Sequence, residues 1–143
     1  MARYAENTKV SVSQSQAEIK DMLRKLGADR IAVFEDRAEN YIVFQLPPSH
    51  DRPEFAYKLS QPRPDTSGKT AKQADQLERS LWRALVLLVK AKKVAIEGGI
   101  TTVEREFMAD TVMPDGSTLI DHYQAVIGHN YQDGPPQIGF SAN

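Results

Sequence analysis

The sequence predicts an α+β domain: a helix, a three-stranded antiparallel meander, a long amphipathic helix, then short C-terminal helices. Three observations carry that prediction. Apolar residues recur with helical spacing in two separated stretches, 19–26 and 77–95. Between them lie three short runs rich in β-branched and aromatic residues. Glycine and proline mark the junctions, as they do where chains turn or stop.

Residues 1–12 read as a flexible arm with a short strand at 9–12. Ser15-Gln-Ala-Glu18 has the form of a capping box, and Ile19, Met22, Leu23 and Leu26 follow at i, i+3, i+4, i+7. A helix is therefore predicted over 16–26, with Gly27 as its stop. Arg30–Glu35 and Tyr41–Leu46 flank a polar stretch, Asp36–Asn40, which is a hairpin signature. Pro47-Pro48 ends the second strand, and Phe55–Leu59 supplies a third. Residues 60–70 are a loop rich in proline, serine and glycine.

A long helix is predicted over Ala71–Glu97, roughly 40 Å at 1.5 Å per residue. Leu77, Leu81, Leu85, Leu88, Val89 and Ala95 supply its apolar face. Its centre, Trp82 to Val89, is apolar almost all round, which predicts cover on more than one side. Gly98-Gly99 stops it. Thr101-Thr-Val-Glu104 is a second capping box, opening a short helix over 102–110 with Val103 and Phe107 on one face. Pro114-Asp-Gly116 is a turn, and a last helix is predicted over 117–127. The domain thus spans 13–128, followed by a polar tail, 129–143, expected to be disordered.

The 143 residues suit one domain, large enough to fold without staples. There is no cysteine, which excludes thiol catalysis, Cys-ligated metals and disulfides. The formal net charge is -1, so no global basic excess favours nucleic acid. No apolar run suits a membrane span, and the polar start lacks the core of a signal peptide. The expectation is a cytoplasmic protein without membrane contact.

Charge is segregated in the second half. Residues 71–97 carry six Lys/Arg against three Asp/Glu, whereas 98–143 carry one, Arg105, against six. Arg79, Arg83, Lys90 and Lys93 share one side of the long helix, with Trp82 at its boundary. Basic side chains neutralise phosphates and an aromatic can stack on a base, so these five form the candidate nucleic-acid-binding set. The competing reading places Trp82 in the core and the arginines in ion pairs with Asp75, Glu78 or the acidic end.

Other motifs fall away on inspection. Ser67-Gly-Lys-Thr70 ends like a phosphate-binding loop, but Arg63 stands where its first glycine is needed, and Pro62 and Pro64 stiffen the approach. His50, His122 and His129 meet no zinc spacing. Glu97, Glu104, Glu106 and Asp110 could attract a divalent ion, yet Glu104 and Glu106 are explained by their place in a first helical turn. No catalytic residue, metal or cofactor is predicted.

Glu78-Arg79-x-x-Trp82-Arg83-Ala84-Leu85, Lys90-Ala-Lys92, Glu97-x-Gly99-Ile-Thr-Thr102, Glu104-x-Glu106-Phe107 and Pro114-Asp-Gly116 together resemble a family of small proteins from tailed phages, prophages and mobile elements. The resemblance covers roughly residues 8–118. It implies action inside a bacterial host cell and carries no catalytic or binding residue with it. The helix–sheet order also occurs in double-stranded-RNA-binding domains, an analogy of fold alone. Two functions follow as expectations. One is a non-catalytic accessory protein that contacts nucleic acid, or its processing machinery, through the basic helix face. The other is a protein-binding module, such as an inhibitor of a host defence or regulatory factor, using the acidic C-terminal part or a sheet edge. A homo-oligomer is compatible with either.

Overall fold

Alternation along one strand decides which way the sheet faces. The computed structural model describes residues 7–50 and 53–135, and its central strand, β2 (Glu39–Leu46), buries every second residue: Asn40, Ile42, Phe44 and Leu46. It lies between β1 (Arg30–Glu35) and β3 (Phe55–Pro62) in the antiparallel order β1-β2-β3. The register sets Val33 opposite Ile42, and Phe44 opposite Tyr57. Buried Ile42, Phe44, Leu46, Tyr57 and Leu59 therefore share one face. The meander stands as expected, with β3 reaching Pro62.

Two helices share the core with that face. Helix α1 (Val12–Lys25) contributes Ile19 and Leu23; helix α2 (Ala71–Glu97) contributes Trp82, Leu85, Val86 and Val89. Phe107 completes the cluster, its ring edge-on to Phe44 at 5.3 Å. Phe107 follows α3 (Val103–Glu106) and precedes a single 3-10 turn, Met108–Asp110; α4 (Leu119–Asn130) comes last.

Several boundaries differ from the sequence reading, each for a local reason. Helix α1 begins one turn early. Ser11, not Ser15, caps it, its Oγ accepting from the Gln14 amide at 3.1 Å. Ser15 is instead fully buried, and Val12 joins the helix and packs on the core, so the expected strand at 9–12 does not form. The helix expected over 102–110 is split at Phe107, which turns inward to reach the core. Thr102 rather than Thr101 caps α3, while Thr101 Oγ1 donates to Glu106 at 2.9 Å. Helix α4 runs to Asn130, so the tail begins later than residue 129; residues 1–6 of the expected arm and 136–143 of the expected tail lie outside the described residues.

The face of α2 also shifts. Its buried stripe is Trp82, Leu85, Val86 and Val89, at i, i+3, i+4, i+7. Leu77 and Leu81 are only partly buried, and Leu88 is 49% exposed. Composition named too many leucines for one stripe; the sheet and α1 take the side centred on Trp82, and the side holding Leu88 stays open.

Candidate functional site

Helix α1 runs beside the basic side of α2. Gln76 Nε2 donates to the Thr8 carbonyl, just ahead of α1, at 2.8 Å, and Arg83 reaches Glu18 of α1 at 2.6 Å, so the chain from Thr8 to Glu18 runs along the first half of the stripe. Arg79 pairs with Asp75 and also donates to Gln76 Oε1 at 2.7 Å. Lys93 pairs with Glu97 at 2.7 Å, its side chain only 18% exposed. Lys90 faces solvent. Of the five residues proposed for nucleic acid, three are thus already in ion pairs. Trp82 is a correction: it is 0% exposed, deep in the core, and offers no ring face to a base. Its position on the helix, one turn from Leu85 and Val86 on the inward side, is what buries it.

The acidic segment after Gly98 meets α2 at Lys92 as well as through Phe107 in the shared core. Lys92 donates to the Glu106 carbonyl and lies 5.2 Å from the Phe107 ring centroid. The four candidate metal-binding acids are divided rather than gathered. Glu97 goes to Lys93 and Glu106 to Thr101 and Lys92; no group of metal-ligating side chains converges among the described residues. Ser67-Gly-Lys-Thr70 is a helix start: Gly68 has φ +73°, and Thr70 and Gln73 cap α2 reciprocally.

A Ser-His-Asp grouping that the sequence reading missed forms in the turn before α4. Ser117 Oγ lies 2.8 Å from His122 Nε2 and 2.5 Å from Asp115 Oδ1. It is not a nucleophile's arrangement. The serine proton goes to Asp115, so the imidazole must donate to Oγ rather than accept from it. Asp115 also sits 3.4 Å from the same ring nitrogen, not behind the other one. The three groups pin the turn, and the Ser117 hydroxyl and amide hold the Asp115 carboxyl below its usual range.

An open apolar surface lies beyond that turn. Leu119, Ile120, Tyr123, Val126 and Ile127 fall at i, i+1, i+4, i+7, i+8 and form one apolar face of α4. No residue of α4 is buried, and Tyr123 and Val126 are each more than half exposed. Between α4 and the 3-10 turn opens a cleft of about 280 Å³, lined by Arg105, Met108, Ala109, Leu119, Ile120 and Tyr123. Ile120 also borders a neighbouring polar hollow lined by Glu39, Lys58, Asp110 and Asp121, in which Lys58 pairs with Glu39 at 2.7 Å. Burial pushes the Asp110 carboxyl up, against the opposing pull of Lys92. Asp121 accepts from the Thr118 amide and hydroxyl at 3.1 and 3.0 Å, which holds its carboxyl down. Beside the apolar cleft, with Arg105 on its wall, the hollow thus presents Asp110 and Asp121 together with the Lys58–Glu39 ion pair.

The sequence contained this surface in the i, i+1, i+4, i+7 pattern of 119–127. What it lacked was the setting, since an amphipathic helix in a domain of this size ordinarily finds the core, whereas this one buries no residue against the described elements. No helix among the described residues is long and apolar enough to cross a membrane. The chain matches no protein-family model, no curated protein and no solved structure.

Proposed function

We propose that the protein is a non-catalytic protein-binding module whose site is the cleft between the 3-10 turn and α4, and that its partner presents a basic amphipathic helix. One observation carries this: an apolar helix face and cleft stand open in a segment with six acidic residues against one basic. An apolar groove in a predominantly acidic segment suits a helix with apolar anchors and basic residues on its flanks. Arg105 at the cleft wall and Lys58 in the adjoining hollow are cations such a helix must avoid or stack upon. The resemblance to phage and mobile-element proteins supports a partner in a bacterial host cell, such as a defence or regulatory factor. The basic face of α2 is the weaker candidate, because its charges are largely paired.

Peptide display against the folded protein tests the reading. Selected sequences should carry large apolar residues at i, i+3/i+4, i+7 among Lys and Arg, and a combined Met108→Asp and Tyr123→Asp variant should lose them. Selection without such a pattern, or binding indifferent to the double substitution, would overturn it. Binding to DNA or RNA at low salt that falls with Arg79→Ala plus Arg83→Ala would instead return the site to α2.

A further inference from the structure

We propose that β1 pairs antiparallel with β1 of a second copy of this chain, joining two three-stranded sheets into one of six strands. The two edges of the sheet are treated differently. The outer edge of β3 is occupied: the Val112 amide donates to the Ala56 carbonyl at 2.8 Å, and Thr111 bridges Tyr57. The outer edge of β1 has no strand beside it among the described residues. Its sequence, Arg-Ile-Ala-Val-Phe-Glu, has no proline, no lysine and no break in register from Arg30 to Glu35, and its charges stand at the two ends of the strand.

The backbone geometry sets which groups are on offer. The Asp36 amide donates to the Glu39 carbonyl at 3.1 Å, closing the hairpin. Hydrogen-bonded pairs alternate along an antiparallel ladder, so Arg30, Ala32 and Phe34 direct their amides and carbonyls to β2. Ile31, Val33 and Glu35 direct theirs outward. A second β1 running antiparallel about a two-fold axis at Val33 meets them with its own outward groups: Val33 to Val33 of the second copy, and Ile31 to Glu35 of the second copy. Even-numbered residues then face even-numbered ones, which keeps the apolar face of each sheet on the same side.

Charge selects this register among those that preserve the faces. With the axis at Val33, Arg30 stands opposite Asp36 of the second copy, twice over by symmetry. Moving the axis to Ala32 sets Asp29 against Glu35, like against like. Asp36 is fixed by its own turn, near Lys58 and Arg63 of the same chain. Its Oδ1 accepts from the Ala38 and Glu39 amides at 2.7 and 2.8 Å, while Oδ2 takes neither. On the outer face, Ala32 would lie beside Phe34 of the second copy. Phe34 is stacked on Tyr41 at 4.9 Å and is 45% exposed in the single chain. The interface is isologous, so it closes at two copies, and it is separate from the cleft beside α4.

Sedimentation over a concentration series should show a species of twice the 16.0 kDa chain. Arg30→Glu, at an exposed position, should weaken its association about tenfold while leaving the far-ultraviolet spectrum unchanged. The chain has no cysteine, so single introduced thiols report the register. Under mild oxidation Val33→Cys should cross-link ahead of Ala32→Cys. A monomer at every concentration, association indifferent to Arg30→Glu, or faster linkage through Ala32→Cys would overturn the pairing. Should Val33→Cys fail to fold, the sedimentation of Arg30→Glu decides alone.

Discussion

Helices α1 and α4 make an instructive pair. Five of the fourteen residues in α1 are apolar, against six of the twelve in α4, yet α1 buries Ile19 and Leu23 and α4 buries nothing. Composition therefore does not separate them. Position does. Helix α1 precedes a meander whose inner face needs covering, and it lies beside α2 to cover it. By the time the chain reaches Leu119, that face is already full. An isolated helix of about a dozen residues is marginal in water, so α4 depends on its capping turn and on the few contacts of its first turn. The two regions differ in what an identical kind of substitution should do.

The largest contrast is between Trp82 and Tyr123. Trp82→Ala leaves a cavity at the centre of the shared core and should cost about 3–5 kcal/mol. Tyr123→Ala removes an aromatic that is 54% exposed and should change stability by no more than about 0.5 kcal/mol, while abolishing capture of the basic helical peptide. Urea unfolding of both variants measures the difference. Similar losses for the two would show that α4 is part of the cooperative core.

Phe107 is where the regions join. Its ring is fully buried, edge-on to Phe44, and Lys92 holds the backbone just before it. Phe107→Ala should cost about 3 kcal/mol, and unevenly. Amide exchange should accelerate first through residues 108–130, with β2 and α2 still protected. Uniform acceleration would mean that the C-terminal segment unfolds only with the rest.

These elements also show what was legible in advance. The meander and α2 were, because their patterns are strictly local: alternation in β2, 3.6-residue repeats and terminal glycines around α2. The start of α1 was not: Ser15-Gln-Ala-Glu18 fits a capping box, yet Ser15 is buried inside the helix and Ser11 accepts from the Gln14 amide. Trp82 was placed at a boundary by charge pattern, though its spacing from Leu85, Val86 and Val89 put it inward. The cleft beside α4 was legible as a helix face but not as an opening, because emptiness is a property of everything else in the fold. The Asp115–Ser117–His122 cluster depends on a turn geometry that sequence spacing does not show.

Smaller in effect is the pair that binds α1 to α2. Arg83 and Glu18 lie 2.6 Å apart with side chains 23% and 38% exposed, so solvent screens much of their attraction. A double-mutant cycle of Arg83→Ala and Glu18→Ala should give a coupling of about 0.2–1 kcal/mol, falling with added salt. Zero coupling would free Arg83 for another partner and reopen the case for the basic face.

Smallest, and opposite in sign to its neighbours, is the effect of Asp110. Its folded pKa is raised above the ordinary 3.8, burial outweighing the attraction of Lys92. For an acid that shift is a penalty: above the folded pKa the carboxylate is charged and poorly solvated, so the group destabilises the fold at neutral pH. As pH falls through the folded pKa the native state takes up its proton first, and the penalty disappears. Asp36, Asp115 and Asp121 behave the other way. Their folded pKa values are lowered by hydrogen bonds to turn and cap groups, so they stabilise above 3.8 and lose that contribution as pH falls through their folded values. Asp110→Asn should therefore raise the unfolding midpoint at pH 7 and lose its advantage near pH 4, while Asp36→Asn lowers it at pH 7 and converges on the parent in acid. A pH-independent gain for Asp110→Asn would mean that the side chain is disfavoured by its packing and not by its charge. The hollow bordering the cleft would then hold no desolvated carboxylate for a basic partner to relieve.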